Sequence, residues 1–235
     1  MVASTVTSTW KAEVMQGAYA MGVSIVQTVS GVSGQFTLTG ATSTAGIAVG
    51  DTVSGSANMA TGAVVASIDS LTQVTLSKAH TGTITTIATT FIGDALKLCL
   101  LKSGVTPNGA TQSNAGVPGT GAQSVTNIGT DEVAASGTYS AGGNALTNTA
   151  PVQTNPITSA AWSYSNSLSW TGATLSVIGA YIYNTTARLG HSTFALAANR
   201  VVAWYDFGGT VSVVAGTLTL TTPTQDGTTG LLRVT

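Results

Sequence analysis

Short runs of Val, Ile and Thr that alternate with polar residues and end at Gly recur along most of this sequence. Between residues 23 and 90 they read VSIVQTVSG, GQFTLTGA, GDTVSGS, AVVASIDS, QVTLSKA and GTITTIATT. β-Branched residues at a period of two are typical of strands, and Gly, Asn, Ser and Asp between them are typical of turns. The pattern predicts a mainly β protein, with a small sandwich or barrel over residues 23–90.

Two segments carry more specific strand signals. IDSLTQVTLS, residues 68–77, predicts a hairpin in which Asp69 and Ser70 supply the turn chemistry. FIGDALKLCLLK, residues 91–102, is ambiguous, because its richness in Leu favours a helix while the alternation of its leucines favours a strand. We predict a strand there, and the same β pattern resumes after Asp131.

The predicted helix is short and lies near the N-terminus. Residues 8–21, STWKAEVMQGAYAM, place one apolar stripe at spacings of four, four and three, with Ser8 or Thr9 as the cap. Residues 103–130 are rich in Gly, Asn, Ser and Pro and predict a long loop or an exposed arm.

Charge is scarce throughout the chain. Charged residues make up 6% of the sequence, against roughly 25% in an average soluble domain. The net charge is −1, and the seven basic residues are scattered, so a nucleic-acid partner is not expected. Because the cores of assembly interfaces are depleted of charge, this composition points to a protein that assembles.

Targeting and cross-linking signals are missing from the sequence pattern. No window offers the ~20 continuous apolar residues of a spanning helix, so a membrane partner is not expected. The start, MVASTVTSTWK, lacks the basic and apolar regions of a signal peptide. The single cysteine, Cys99, cannot form an internal disulfide and belongs to no metal-binding cluster.

Each candidate catalytic motif has a simpler structural interpretation. DFG at 206–208 lacks the companion motifs of a kinase, so we interpret it with Gly209 as a turn. His80 and His191 are the available bases, and no nucleophile elbow accompanies either. We interpret His191 as an imidazole at a loop edge.

Acidic and glycosylation signals are similarly weak. Asp131 and Glu132 are interpreted as a solvated turn pair, because a calcium site or a glycosidase needs further carboxylates nearby. The sequon at 184–186 has no secretory context. We therefore predict no catalytic, cofactor-binding or metal-binding residue, no cofactor, and no enzymatic activity.

Three aromatic residues, Trp162, Tyr164 and Trp170, cluster in the serine-rich stretch AAWSYSNSLSWTG. Such a cluster either binds sugars or packs into the core from one face of a strand. We favour packing.

The order of several motifs resembles a family of structural proteins from tailed bacteriophages. The matching segments are STWKAEVMQGAYAM, GDALKLCLLKSG, GTDEVAASGTYSAGGNALT, WSYSNSLSWTGATLSVIGAYIYNTT and RVVAWYDFGGTVSVVAGTLTLTTP. They cover about residues 1–22 and 91–235, with 206–220 resembling a hairpin of that family. Residues 23–90 depart from the framework and resemble small β-modules of phage and bacterial surface proteins, with Ser56 to Met59 in place of the usual Gly-Ile-Pro step.

The resemblance implies an architecture and a function. The expected fold is a jelly-roll-like β-sandwich base (1–22 and 91–235) with a short N-terminal helix and an inserted small β-domain (23–90) that protrudes as a knob. The expected function is that of a capsid decoration or cement protein, made in the bacterial cytoplasm and placed on the capsid exterior. Its partners would be the major capsid protein, reached in part by the 103–130 arm, and further copies of itself in a homotrimer.

Two other functions stay open at this point. One is a tail-associated part such as a fibre, tube or baseplate component, which composition does not distinguish from a head protein. The other is a module that binds a host-surface glycan through the aromatic residues at 162–170.

Overall fold

The computed structural model describes residues 3–6, 24–105, 131–148, 152–155, 159–162, 164–186, 199–221 and 232–234. Within these ranges the chain is mainly β and contains no helix, which confirms the predicted fold class. Every strand pairing is antiparallel. The predicted helix at 8–21 and residues 106–130 of the predicted arm lie outside the described residues.

The strands of the described residues vary from two to twenty-one residues in length. In chain order they are β1 (Ala3–Val6), β2 (Ile25–Gly31), β3 (Thr37–Thr39), β4 (Thr52–Ser54), β5 (Val65–Ser70), β6 (Gln73–Leu76), β7 (Ile84–Ile92), β8 (Leu96–Lys102), β9 (Asn144–Ala145), β10 (Val152–Asn155), β11 (Ser159–Trp162), β12 (Leu168–Asn184), β13 (Arg200–Leu220) and β14 (Leu232–Val234).

These strands form two compact units. The described residues within 1–14, 95–186 and 198–235 make one, called the base unit below, and those within 15–94 make the other, called the barrel unit. The base unit holds a five-stranded sheet of order β1-β13-β12-β8-β9 and a three-stranded sheet of order β10-β11-β14. The barrel unit holds one six-stranded sheet.

The centre of the five-stranded sheet is buried on both faces. Along β8, neighbouring residues such as Cys99 and Leu100 point to opposite faces, yet both are fully buried. Strand β12 continues the two layers, because Tyr181 pairs with Cys99 and Ala180 pairs with Leu100. The ambiguous 91–102 segment is strand at both ends, in β7 up to Ile92 and in β8 from Leu96, with a break at 93–95 between them. The apolar run at 98–101 reflects burial on two sides.

The long strand β13 corrects one expectation. The Asp206–Gly209 stretch was expected to reverse the chain as a turn, but β13 continues through it to Leu220. Four residues, 207–210, instead bulge opposite the single residue between Val177 and Gly179 of β12. Gly208 has φ +80° and Gly209 has φ +154°, so the two glycines provide left-handed conformations that a bulge needs.

The six-stranded sheet of the barrel unit runs in the order β4-β7-β2-β3-β6-β5. Its end strands, β4 and β5, meet through an antiparallel bridge between Thr52 and Val64. The N–H of Val65 also donates to the carbonyl of Asp51 at 2.9 Å. The sheet therefore closes on itself where β4 meets the start of β5.

Apolar side chains that point inward from the strands fill the interior of this barrel. Its core holds twelve buried apolar side chains, including Val29, Leu38, Val74 and Phe91. Each side chain of the size of Val or larger gives about 1.5–3 kcal/mol on full burial. The predicted hairpin at 68–77 is confirmed as β5 and β6, with Ile68 paired with Val74. Its turn lies at Leu71 and Thr72, because Asp69 and Ser70, the expected turn residues, are the last residues of β5.

Candidate functional site

The residues singled out from the sequence are held mainly by structural contacts. The carboxylate of Asp206 accepts a hydrogen bond from the N–H of Gly208 at 2.8 Å, so it stabilises the bulge of β13. The side chain of Asn184, the sequon residue, is 1% exposed, and its Oδ1 accepts from the N–H of Thr186 at 2.9 Å. Neither motif presents a free reactive group.

Of the two histidines, His191 lies outside the described residues. His80 is 3% exposed, and its Nε2 lies 2.9 Å from the carbonyl oxygen of Thr37. A Cβ on Gly31 would lie 2.7 Å from the same nitrogen. His80 is therefore enclosed by backbone in the barrel unit and is not placed to act as a general base.

Glu132 corrects a second expectation, because it is not a solvated turn residue. Its Oε1 accepts hydrogen bonds from the hydroxyl of Tyr139 at 2.8 Å and from the N–H of Gly142 at 2.7 Å. The backbone of Glu132 also forms an isolated antiparallel β-bridge with Leu101 of β8. The carboxylate thus anchors the 131–148 segment along the outer side of β8. Local sequence offered no signal for this role, because no short motif links Glu132 to Tyr139 and Gly142, which lie seven and ten residues further along the chain.

The aromatic cluster is placed inside the base unit, so far as the structure describes it. Trp170 is fully buried, and Tyr164 is 3% exposed. The indole N–H of Trp170 donates to Oδ1 of Asn144 at 2.9 Å, and its ring meets the ring of Tyr139 edge-on at 5.6 Å. Stacking against a sugar is not available to Trp170, and the side chain of Trp162 lies outside the described residues.

A layer of buried hydroxyls and one thiol lies on one face of the five-stranded sheet. Cys99, Tyr181 and Tyr183 belong to one core cluster with Leu101 and Val201. Burial raises the pKa of the Cys99 thiol far above its ordinary value, and the nearby negative charge of Glu132 raises it further. The thiol is therefore protonated and unreactive in the folded protein.

The two tyrosines of this cluster differ in their hydrogen bonding. The hydroxyl of Tyr183 donates to the carbonyl of Gly142 at 2.6 Å, while the buried hydroxyl of Tyr181 has no nitrogen or oxygen partner and lies near the thiol of Cys99. Burial raises the pKa of both residues well above 10.0. Both hydroxyls are therefore neutral at physiological pH.

The base unit has an apolar cavity of about 290 Å³. Residues from β8, β12 and β13 line it, among them Leu98, Ala180 and Phe207, together with Tyr164 and Tyr205. Burial raises the pKa of Tyr164 and of Tyr205. The cavity therefore suits an uncharged apolar group, and its described lining supplies no acid or base at neutral pH.

The barrel unit has a shallow cleft of about 330 Å³ with a more polar lining. Hydroxyl groups and one amide surround it, from Ser30, Gln35, Thr37, Thr39, Thr83 and Thr85. These are neutral donors and acceptors that can bind a partner but lack the charge that activates a nucleophile.

The described residues contain no group of three or more His, Cys, Asp or Glu side chains placed to hold a metal ion. In the same ranges no helix has the length and apolar character needed to cross a membrane.

Comparison of the chain with models of known families, with curated proteins and with solved structures finds no match.

Proposed function

We propose that this chain is a non-enzymatic virion structural protein that decorates the head of a tailed bacteriophage and bridges neighbouring major capsid subunits. The observation that carries the proposal is the scarcity of charge on the described surface. Among the described side chains, the exposed charged ones are Asp69, Lys78 and Lys102. A protein that functions between other subunits needs such a surface, because charges are costly to bury at an interface.

Exposed apolar side chains support the same proposal. On the barrel unit they include Val26 at 62%, Val32 at 64% and Leu71 at 77%, and on the base unit Val214 at 81%. Singly exposed valines are ordinary in a soluble protein. With so few charges around them, they favour a surface that contacts other protein subunits.

The path of the chain through the barrel unit also favours the proposal. The first and last strands of this unit, β2 and β7, are neighbours, and Ile25 pairs with Phe91. The chain therefore enters and leaves the barrel at the same end, which is the geometry of a domain inserted into a loop. In the proposed role the base unit docks on the capsid, and the barrel unit is the inserted domain.

Antibody labelling of intact virions tests the location. An antibody against residues 24–94, read by electron microscopy with pre-immune serum as control, is expected to label heads in a regular array. Label confined to tails would replace this proposal with a fibre, tube or baseplate role. Virions without label would refute a virion role of either kind.

Binding to the major capsid protein needs a separate measurement. Purified chain added to capsids that lack it is expected to co-sediment and to raise the temperature at which the capsid shell dissociates. Capsids bearing another decoration protein serve as the control. Failure to co-sediment at saturating concentration would contradict the bridging function.

A further inference from the structure

Among the described strands, only β1 pairs with the outer edge of β13, and it covers a short part of that edge. On one side β13 pairs with β12 from Arg200 to Leu220. On the other side, β1 covers β13 only between Ala203 and Asp206. No other described strand pairs with the edge between 207 and 220, so a long row of backbone groups there lacks a strand partner.

Hydroxyl contacts show which backbone groups face outward. Ser212 Oγ donates to Ser176 Oγ at 3.2 Å, and the carbonyl of Ser176 accepts from the N–H of Ser103 on its β8 side. The backbone of Ser176 is thus turned away from β13. Ser176 and Ser212 therefore form a pair that exchanges no backbone hydrogen bonds, and the N–H and C=O of Ser212 point to the open edge.

Backbone groups near the end of β13 also point to its outer edge. The hydroxyls of Ser169 and Thr219 lie 3.1 Å apart across β12 and β13. Thr171 directs both its N–H and its C=O to Thr138, on the far side of β12. Since backbone direction alternates along a strand, Ser169 also faces that side, and the N–H and C=O of Thr219 point outward.

The open edge carries none of the usual charged protection. Sheet edges in soluble proteins are blunted by Lys, Pro, inward-facing charges or bulges. Residues 207–222 contain no charged residue and no Pro. Bulges at 207–210 and at 214–215 interrupt the strand, but they leave regular backbone at 211–213 and 216–220.

We propose that the outer edge of β13 pairs antiparallel with the same edge of a second copy of this chain. The partner is identified by self-complementarity, since two copies present identical outward N–H and C=O groups at Ser212 and Thr219. A two-fold arrangement satisfies both open edges in a single contact. The absence of charge between 207 and 225 means that no register of this pairing brings like charges together. The inference does not depend on a virion role.

Proline substitution tests the pairing directly. Thr219→Pro removes an outward N–H and should preserve the fold, because an edge strand tolerates Pro where its N–H faces away from the sheet. Thr219→Ala is the matched control, since it loses the same hydroxyl and keeps the N–H. The proposal expects Thr219→Pro to halve the assembly mass measured by light scattering, and Thr219→Ala to keep the wild-type mass.

A second variant tests the pairing independently, in case Thr219→Pro does not fold. Val214 is 81% exposed, so Val214→Lys should leave the fold intact while placing charge on the paired edge. It is expected to halve the mass, whereas Val214→Thr is expected to keep it. A monomeric wild-type chain at all concentrations, or unchanged mass in both Thr219→Pro and Val214→Lys, would overturn the proposal.

Hydrogen exchange identifies what covers the edge. The amides of Ser212 and Thr219 are expected to be protected in the assembled protein and to exchange rapidly after dilution to the dissociated state. Protection that persists in the monomer would show that another part of the same chain covers β13, and the proposal would be wrong.

Discussion

The hydroxyl of Tyr139 donates a hydrogen bond to Oε1 of Glu132 at 2.8 Å and accepts one from the N–H of Leu100 at 3.0 Å. A single buried hydroxyl thus connects the carboxylate of the 131–148 segment to the backbone of β8. The contact closes the outer side of β8, where β9 pairs with Lys97 and Leu98.

Removing that hydroxyl is expected to destabilise the base unit. Tyr139→Phe leaves the buried N–H of Leu100 without its partner, which should lower the free energy of unfolding by about 1–3 kcal/mol. Tyr181→Phe is the matched control, because the Tyr181 hydroxyl has no nitrogen or oxygen partner and at most a weak contact with the Cys99 thiol, so its loss should be nearly neutral or stabilising. Guanidinium denaturation of both variants measures the difference, and equal loss in the two would contradict the assigned contacts.

Stability is expected to fall at alkaline pH. Burial keeps Cys99, Tyr139 and Tyr181 protonated when folded, while the unfolded chain ionises near the ordinary values of 9.0 for the thiol and 10.0 for tyrosine. Above those values the unfolded state binds fewer protons than the folded state, so the free energy of unfolding decreases as pH rises. The stabilising contribution is complete below about pH 8.5.

The alkaline effect is measured by denaturant unfolding from pH 7 to 11. The slope should reach about 1.4 kcal/mol per pH unit for each group that ionises only on unfolding. Tyr181→Phe should reduce that slope above pH 10 relative to wild type. A flat profile through this range would show that these groups ionise in the folded protein.

Close backbone approach makes Gly143 intolerant of a side chain. Gly143 has φ +68°, and a Cβ there would collide with the carbonyl oxygen of Leu98. Gly104 has φ +83° with nothing within 4 Å of such a Cβ, so Gly104→Ala should cost only the left-handed penalty of about 1–2 kcal/mol. Gly143→Ala should cost more, because β9 must also move away from β8. Similar melting temperatures for the two variants would disprove the close approach.

The barrel unit is expected to fold without the base unit. Residues 24–94 contain a closed sheet and their own apolar core, and neither needs a partner from outside the unit. A peptide of these residues should show cooperative thermal unfolding and dispersed amide resonances. Phe91→Ala, which removes a fully buried ring, should lower its stability by about 3–5 kcal/mol. A peptide without cooperative unfolding would contradict the independence of this unit.

The strands were largely predictable, because the alternation that marks them is a local property. β5, β6 and β8 lie within segments where the sequence indicates strands. The choice between sandwich and barrel for 23–90 was not predictable from the pattern. It depends on the meeting of Thr52 and Val64, and periodicity carries no information about which edges meet.

The structural roles of individual polar residues were not predictable from sequence. Gly208 and Gly209 signalled a left-handed backbone correctly, but the same signal serves a turn or a bulge, and the pairing of β12 with β13 decides for a bulge. Glu132 was interpreted as part of a solvated turn pair, whereas in the fold its carboxylate accepts hydrogen bonds from Tyr139 and Gly142.

The sequence by itself determined that this chain is mainly β and poor in charge, because strand periodicity and composition depend only on the order and types of residues. Only the tertiary structure decided that Cys99 is buried beside Tyr181, that the ring of Trp170 meets the ring of Tyr139, and that β1 covers only part of the outer edge of β13 among the described strands. These features arise from pairings such as Cys99 with Tyr181. Such partners are far apart in the sequence, so no local pattern encodes their contact.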